Sequence, residues 1–170
     1  MVAIEDPLPL VHRCPGPPPD GAPQLQLALS ADERTRLRGL RRSRCGRPLL
    51  LQLERGEPLR PGEWLRAEGA GAAWVRVEAA AEPLLIVRAT STLALLQAAY
   101  HLGNRHVALE IRADELRLLQ DPVLAALLEQ RGLTLVALEA PFHPERGAYG
   151  AHSHDHSHSH DPSHDQSHGH

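Results

Sequence analysis

The sequence predicts an α+β protein in two folded parts and a tail. A small all-β domain covers residues 1–78, a βαββαβ domain covers 79–150, and a disordered tail covers 151–170. Three observations carry this prediction. The first part breaks into short apolar runs separated by Gly and Pro turns. From Leu84 onward, strand-like and helix-like apolar periods alternate, with a start and a stop signal at each helix. The last twenty residues hold eight of the twelve histidines and almost nothing apolar, so they cannot bury enough surface to fold.

Residues 12–23, HRCPGPPPDGAP, are proline-rich and read as an extended, irregular lead-in. Leu25, Leu27 and Leu29 then alternate with Gln26 and Ala28, the pattern of a half-buried strand. The arginine-rich stretch Arg34–Arg47 reads first as a solvated strand or hairpin, and second as a docking surface for an acidic partner. Pro48–Leu53 is an apolar run, followed by turns at Gly56–Pro58 and Arg60–Glu63. Trp74, Val75 and Val77 make a further strand after the Gly69–Gly71 turn. No catalytic constellation occurs in this part, which reads as a packing or partner-binding module.

In the second part, Leu84–Val87 is an apolar strand, and Ser91 or Thr92 can cap the helix after it. Leu93, Leu96, Ala99, Tyr100 and Leu102 are expected to line the buried face of that helix, with Gly103 as its stop. Val107, Leu109 and Ile111 alternate as a strand, which Glu115–Leu119 can pair with across the Arg112–Asp114 turn. Asp121 followed by Pro122 is a strong helix start. That helix runs to Arg131, stops at Gly132 and gives way to the strand Leu133–Leu138. The order βαββαβ is the ferredoxin-like arrangement, with both helices on one face of an antiparallel sheet. Such a fold hosts unrelated functions, so the site must decide.

Composition narrows the choice. Within residues 1–150, 18 arginines meet 18 acids, so no net basic charge argues for nucleic acid, and stacking aromatics are scarce. No apolar run approaches the roughly 20 residues that span a bilayer. The start, MVAIEDPLPL, lacks the charged head and apolar core of a secretory signal. Cys14 and Cys45 are too few for a disulfide framework. A cytoplasmic protein that binds neither nucleic acid nor membrane is expected.

The tail speaks for metal. His152, His154, His156, His158 and His160 alternate with Ser and Asp, and His164, His168 and His170 follow. A purification tag is usually an unbroken run; here Asp155, Asp161 and Asp165 interrupt it. Imidazole offers a nitrogen lone pair to nickel, copper and zinc. By the usual affinity order copper binds at least as tightly as nickel, so the tail supplies no selectivity by affinity alone. Protons compete for the same nitrogens, so metal should leave as pH falls through the histidine range.

Between the first helix and the next strand stands HLGNRH, His101–His106. Two histidines at a helix end are weak evidence alone, since many such residues only cap a helix. The longer segments AYHLGNRHVALEI, ELRLLQDPVL and GLTLVALEAPFHPERGAYG, ahead of a histidine tail, are more specific. Together they resemble the urease accessory protein E family of nickel chaperones, and the resemblance spans nearly the whole chain. It implies an N-terminal β domain joined to a ferredoxin-like metal-binding domain. It further implies a homodimer that hands Ni2+ to the urease activation complex, with the accessory GTPase and the urease apoprotein as partners.

Carried over residue by residue, His106 matches the family's interfacial nickel ligand, His101 a histidine present in some members, and the tail histidines the auxiliary ligands. Zn2+ and Cu2+ are the expected competitors. Some relatives carry a histidine pair where this chain has Leu118, Leu119 and Gln120, so no second site is expected on that strand. A twofold dimer sets the same patch of each subunit against its mate, so two His106 side chains can converge on one ion. His143 reads as a turn or tail anchor, and His12 with Cys14 as a chance pair in a flexible segment. The alternative function is metal storage or buffering without a delivery partner. Catalysis finds no support: HExxH, a CxxC pair, a nucleophile elbow and a phosphate-binding glycine loop are all missing.

Overall fold

The computed structural model describes residues 6–69 and 72–146. Its first sheet holds six strands: β1 (Leu8–Cys14), β2 (Gln24–Leu29), β3 (Arg38–Arg42), β4 (Pro48–Gln52), β5 (Trp64–Ala67) and β6 (Trp74–Ala79). They lie in the order β2-β6-β5-β1-β4-β3. Alternation decides what is buried. Leu27 and Leu29 of β2, Leu49 and Leu51 of β4, Leu65 of β5, and Val75 and Val77 of β6 point into one core around Leu10. Each such side chain stabilises by roughly 2 kcal/mol relative to exposure. The sheet curls, because the Arg44 N–H beyond β3 donates to the Gln26 carbonyl of β2, at the opposite end of the strand order, over 2.8 Å.

Two expectations fail here. The lead-in is not irregular throughout: its first residues, His12–Cys14, belong to β1, which sits between β4 and β5. Leu8 and Leu10 anchor that strand, and the prolines end it only from Pro15 on. Nor is Arg34 part of a solvated strand. It sits in the short helix α1 (Ala31–Thr35), started by a reciprocal capping box between Ser30 and Glu33. The remainder of the arginine-rich stretch is a hairpin as expected, β3 pairing antiparallel with β4.

The second sheet holds β7 (Ala81–Arg88), β8 (Glu110–Ile111), β9 (Leu116–Leu119) and β10 (Thr134–Pro141), in the antiparallel order β10-β7-β9-β8. Helices α2 (Thr92–Gly103) and α3 (Pro122–Gln130) complete the ferredoxin-like βαββαβ order. Ser91 caps α2 through the Ala94 N–H, and Asp121 caps α3 through the N–H groups of Val123 and Leu124. Leu85 and Val87 of β7 and Leu116 and Leu118 of β9 meet Leu95, Ala98 and Leu102 of α2 and Leu128 of α3 in the second core.

The expected buried face of α2 is largely the wrong one. Leu93, Leu96 and Tyr100 are exposed, while Leu95, Ala98 and Leu102 are buried. This helix is apolar on nearly every side, so its period could not choose between faces. The strand expected at 107–111 also shrinks to Glu110–Ile111, because Val107 is used to close the helix before it.

The two parts are tied by buried polar groups. The Arg34 guanidinium, 6% exposed, donates to the carbonyls of Leu29 and Phe142 at 3.2 and 2.6 Å. Buried Glu82 accepts from the Ala31 N–H at 2.7 Å.

Candidate metal site at the end of the second helix

His106 has the only positive φ, 56°, of any non-glycine residue among those described. The hydrogen bonds explain it. Its N–H donates to the Gly103 carbonyl at 2.9 Å, and the Val107 N–H donates to the Leu102 carbonyl at 3.1 Å. These two bonds form a Schellman motif, which places His106 at the left-handed position that glycine usually takes. Val107 packs back onto the core that holds Leu102, the apolar contact that accompanies the motif.

The second helix of the same domain provides the comparison. At the end of α3, Gly132 donates to Glu129 at 2.9 Å and Leu133 to Leu128 at 3.2 Å, with Gly132 at φ 75°. The same closure is thus built once with glycine and once with histidine. A left-handed backbone costs a side-chain-bearing residue roughly 1–2 kcal/mol, although histidine tolerates it better than most. Residues held this way concentrate at functional sites. The closure itself has no use for the imidazole, which is left exposed at the helix end.

His101 stands one turn earlier, half-buried, its ring edge-on to Tyr100 with centroids 5.5 Å apart. Its carbonyl accepts from Arg105 Nη1 at 3.1 Å. Among the described residues no three of His, Cys, Asp and Glu gather into a potential metal site. The tail candidates His152, His154, His156, His158, His160, His164, His168 and His170 lie outside the described residues. Near the end of the described residues the chain bonds back to the second domain. The Glu145 N–H donates to the Leu109 carbonyl at 2.7 Å, three residues beyond His106.

One buried carboxylate holds this segment down. Glu110 accepts from the His143 N–H at 2.9 Å and from Arg112 Nε at 2.8 Å, with Arg117 at 3.9 Å. Burial works against the Glu110 carboxylate, but the His143 N–H and the two guanidinium groups outweigh it and lower its pKa. Glu115, also buried, is opposed by burial in the same way and held ionised by Arg88 and Arg117 at 2.8 and 2.6 Å. His143 therefore contributes its backbone N–H to an anchor on the second sheet.

Comparison with known proteins identifies the architecture. The UreE urease accessory protein N-terminal domain matches residues 7–80, and the UreE urease accessory protein C-terminal domain matches residues 82–170. The chain belongs to the UreE family. A urease accessory protein UreE of Parasynechococcus marenigrum is 59% identical over 130 residues, covering 76% of this chain and 86% of the relative. Another, from a Synechococcus species (strain WH7805), is 56% identical over 155 residues, 88% of this chain and 86% of its own length. That of Thermosynechococcus vestitus is 53% identical over 143 residues, covering 84% of this chain and 98% of the relative.

In this UreE-family chain, His101 and His106 share one helix end, whereas His12 and Cys14 sit on β1 of the other sheet. The sequence missed one feature of the site. Leu93, Leu96 and Tyr100, exposed by 65%, 63% and 68%, form an apolar strip along α2 that leads to it. The signal was present in a helix too apolar for one sheet to cover.

Proposed function

We propose that this chain is a nickel metallochaperone of urease maturation, acting in the cytoplasm as a homodimer whose two His106 side chains share one Ni2+ ion. The observation that carries the reading is the histidine held in a glycine position at the end of α2. One imidazole makes a poor site, but isologous contact duplicates it. The apolar strip Leu93, Leu96 and Tyr100 supplies a surface for that contact beside the histidine. Among the described residues no helix is long and apolar enough to cross a membrane, and family membership supports a role in urease maturation.

The division of labour follows the sequence. Residues 1–78 serve as the partner-binding module, 79–150 carry the metal site, and 151–170 supply additional imidazoles. From Glu145 to His152 is seven residues, a reach of at most about 25 Å. Tail ligands of either subunit can therefore arrive at His106, with His101 a weaker contributor. Ligands that leave one at a time suit a carrier that surrenders its cargo to the activation complex and its GTPase, whereas a closed site would retain it. Zn2+ and Cu2+ compete for the same nitrogens.

Nickel titration with mass measurement, on wild type, His106→Ala and the form lacking residues 151–170, tests this. Loss of one tight ion per dimer in His106→Ala, with weaker ions lost from the tail-less form, is expected. Unchanged affinity and stoichiometry in His106→Ala would sink the shared site and leave metal storage.

A further inference from the structure

Residues 36–47 read RLRGLRRSRCGR, with six arginines and no acid. Among the described residues only Arg36 and Arg44 reach a carboxylate, Asp32 at 2.6 Å and Glu78 at 3.8 Å. The stretch forms β3 and the turn after it, and β3 is an end strand, hydrogen-bonded along its length to β4 alone. Register shows which way its backbone points. Leu53 donates to Leu37 and Ser43 to Arg47, so the odd positions of β3 bond to β4. The N–H groups of Arg38, Leu40 and Arg42 therefore face the open edge, and none of them has a hydrogen-bond acceptor among the described residues. At the next even position Arg44 does donate outward, to Gln26 of β2.

Side chains repeat the message. Arg38, Leu40 and Arg42 are all exposed, Leu40 by 56%, so an apolar residue stands between two cations. A cavity of about 380 Å³ at one end of the strand is lined by Arg36, Arg38 and Arg55. At the other end, one of about 480 Å³ is lined by Arg44, Arg76 and Trp64. One or two charges suffice to guard a sheet edge, and crowding six like charges opposes folding. A polypeptide strand satisfies the whole pattern: its backbone meets the free N–H groups, an apolar side chain meets Leu40, and carboxylates meet the arginines. Nucleic acid fits less well, because it would leave both Leu40 and the edge N–H groups unmet.

We propose that β3 docks an acidic, extended segment of a partner protein as an added strand, with Arg38, Arg42, Arg44 and Arg47 receiving its carboxylates. This surface lies on the sheet that does not carry His106, so it stands or falls apart from the nickel reading. The test uses the full chain and a short labelled peptide of alternating glutamate and valine, against its lysine counterpart and a single-stranded RNA of equal charge. Binding is followed by fluorescence anisotropy at low and physiological salt, with amide hydrogen exchange recorded on β3.

The acidic peptide should bind, and Arg38→Glu with Arg42→Glu should weaken it by about tenfold or more. Exchange at Arg38, Leu40 and Arg42 should slow in the complex, while in the variant the melting temperature holds or rises and nickel stoichiometry stays unchanged. Equal affinity for the variant, no slowing at those amides, or tighter binding of the RNA would overturn the proposal. So would tight peptide binding only after residues 151–170 are removed, since the tail would then be the occupant.

Discussion

At the end of α2 a histidine occupies a backbone position that α3 fills with Gly132. That equivalence gives a control, since the fold favours glycine at position 106 while the proposed nickel site needs histidine. His106→Gly should raise stability by about 1 kcal/mol, because glycine adopts the left-handed conformation without the Cβ clash. Thermal melting should show this gain while calorimetry shows the tight nickel ion lost. Gly132→Ala should lose a similar amount, about 1 kcal/mol, with nickel binding intact. A His106→Gly variant less stable than wild type would mean that the imidazole itself supports the fold.

Glu110 and Glu115 make a second test at this scale. Both have pKa values lowered from the ordinary 4.5, so each stabilises the fold above that value. Their contribution is lost as pH falls below 4.5 and through the lowered folded values. Glu115→Gln should therefore flatten the acid side of the stability–pH profile and leave the neutral side lower than in wild type. An unchanged acid limb, read by chemical denaturation at several pH values, would contradict the assignment.

Helix α2 shows what a single element can and cannot say about itself. Its start was legible to within one residue, Ser91 or Thr92, because a cap is a local hydrogen bond, and Ser91 makes it. Its buried face was not, since Leu93, Leu96 and Tyr100 are as apolar as Leu95, Ala98 and Leu102. Which strip is buried depends on where the sheet lies. The exposed strip carries the element's prediction: Leu96→Glu should leave the monomer folded, as measured by circular dichroism, but shift its mass by sedimentation toward half that of wild type. The tight nickel ion should disappear with the dimer. Strand β8 shows the opposite limit, for Val107 alternates properly with Leu109 and Ile111 yet is drawn into closing α2.

Across the whole molecule, the tie between the two sheets runs through Arg34. The sequence shows six more arginines shortly after it, and nothing local marks this one as buried. Neither the capping box of Ser30 and Glu33 that starts its helix nor its reach to Phe142, 108 residues on, was read from the sequence. Arg34→Met should keep most of the side-chain volume but strand the Phe142 carbonyl, whereas the Leu29 carbonyl keeps the Ala80 N–H, so the cost in chemical denaturation should be about 2 kcal/mol. A negligible loss would show that the two sheets do not need this bond.

The sequence alone determined the elements of the second domain, the caps of its two helices, the ferredoxin-like order and the donor chemistry of the histidines. Those properties are local: they rest on period, on turn residues and on what an imidazole can bind. Only the tertiary structure decided that His106 takes a glycine's conformation, that α2 turns an apolar strip outward, and that Glu145 bonds back to Leu109. Each of these depends on partners distant in the chain: Val107 returning to the second core, the sheet beneath α2, and the Leu109 carbonyl. No local pattern encodes such contacts, because they are chosen by how the elements fill a common core.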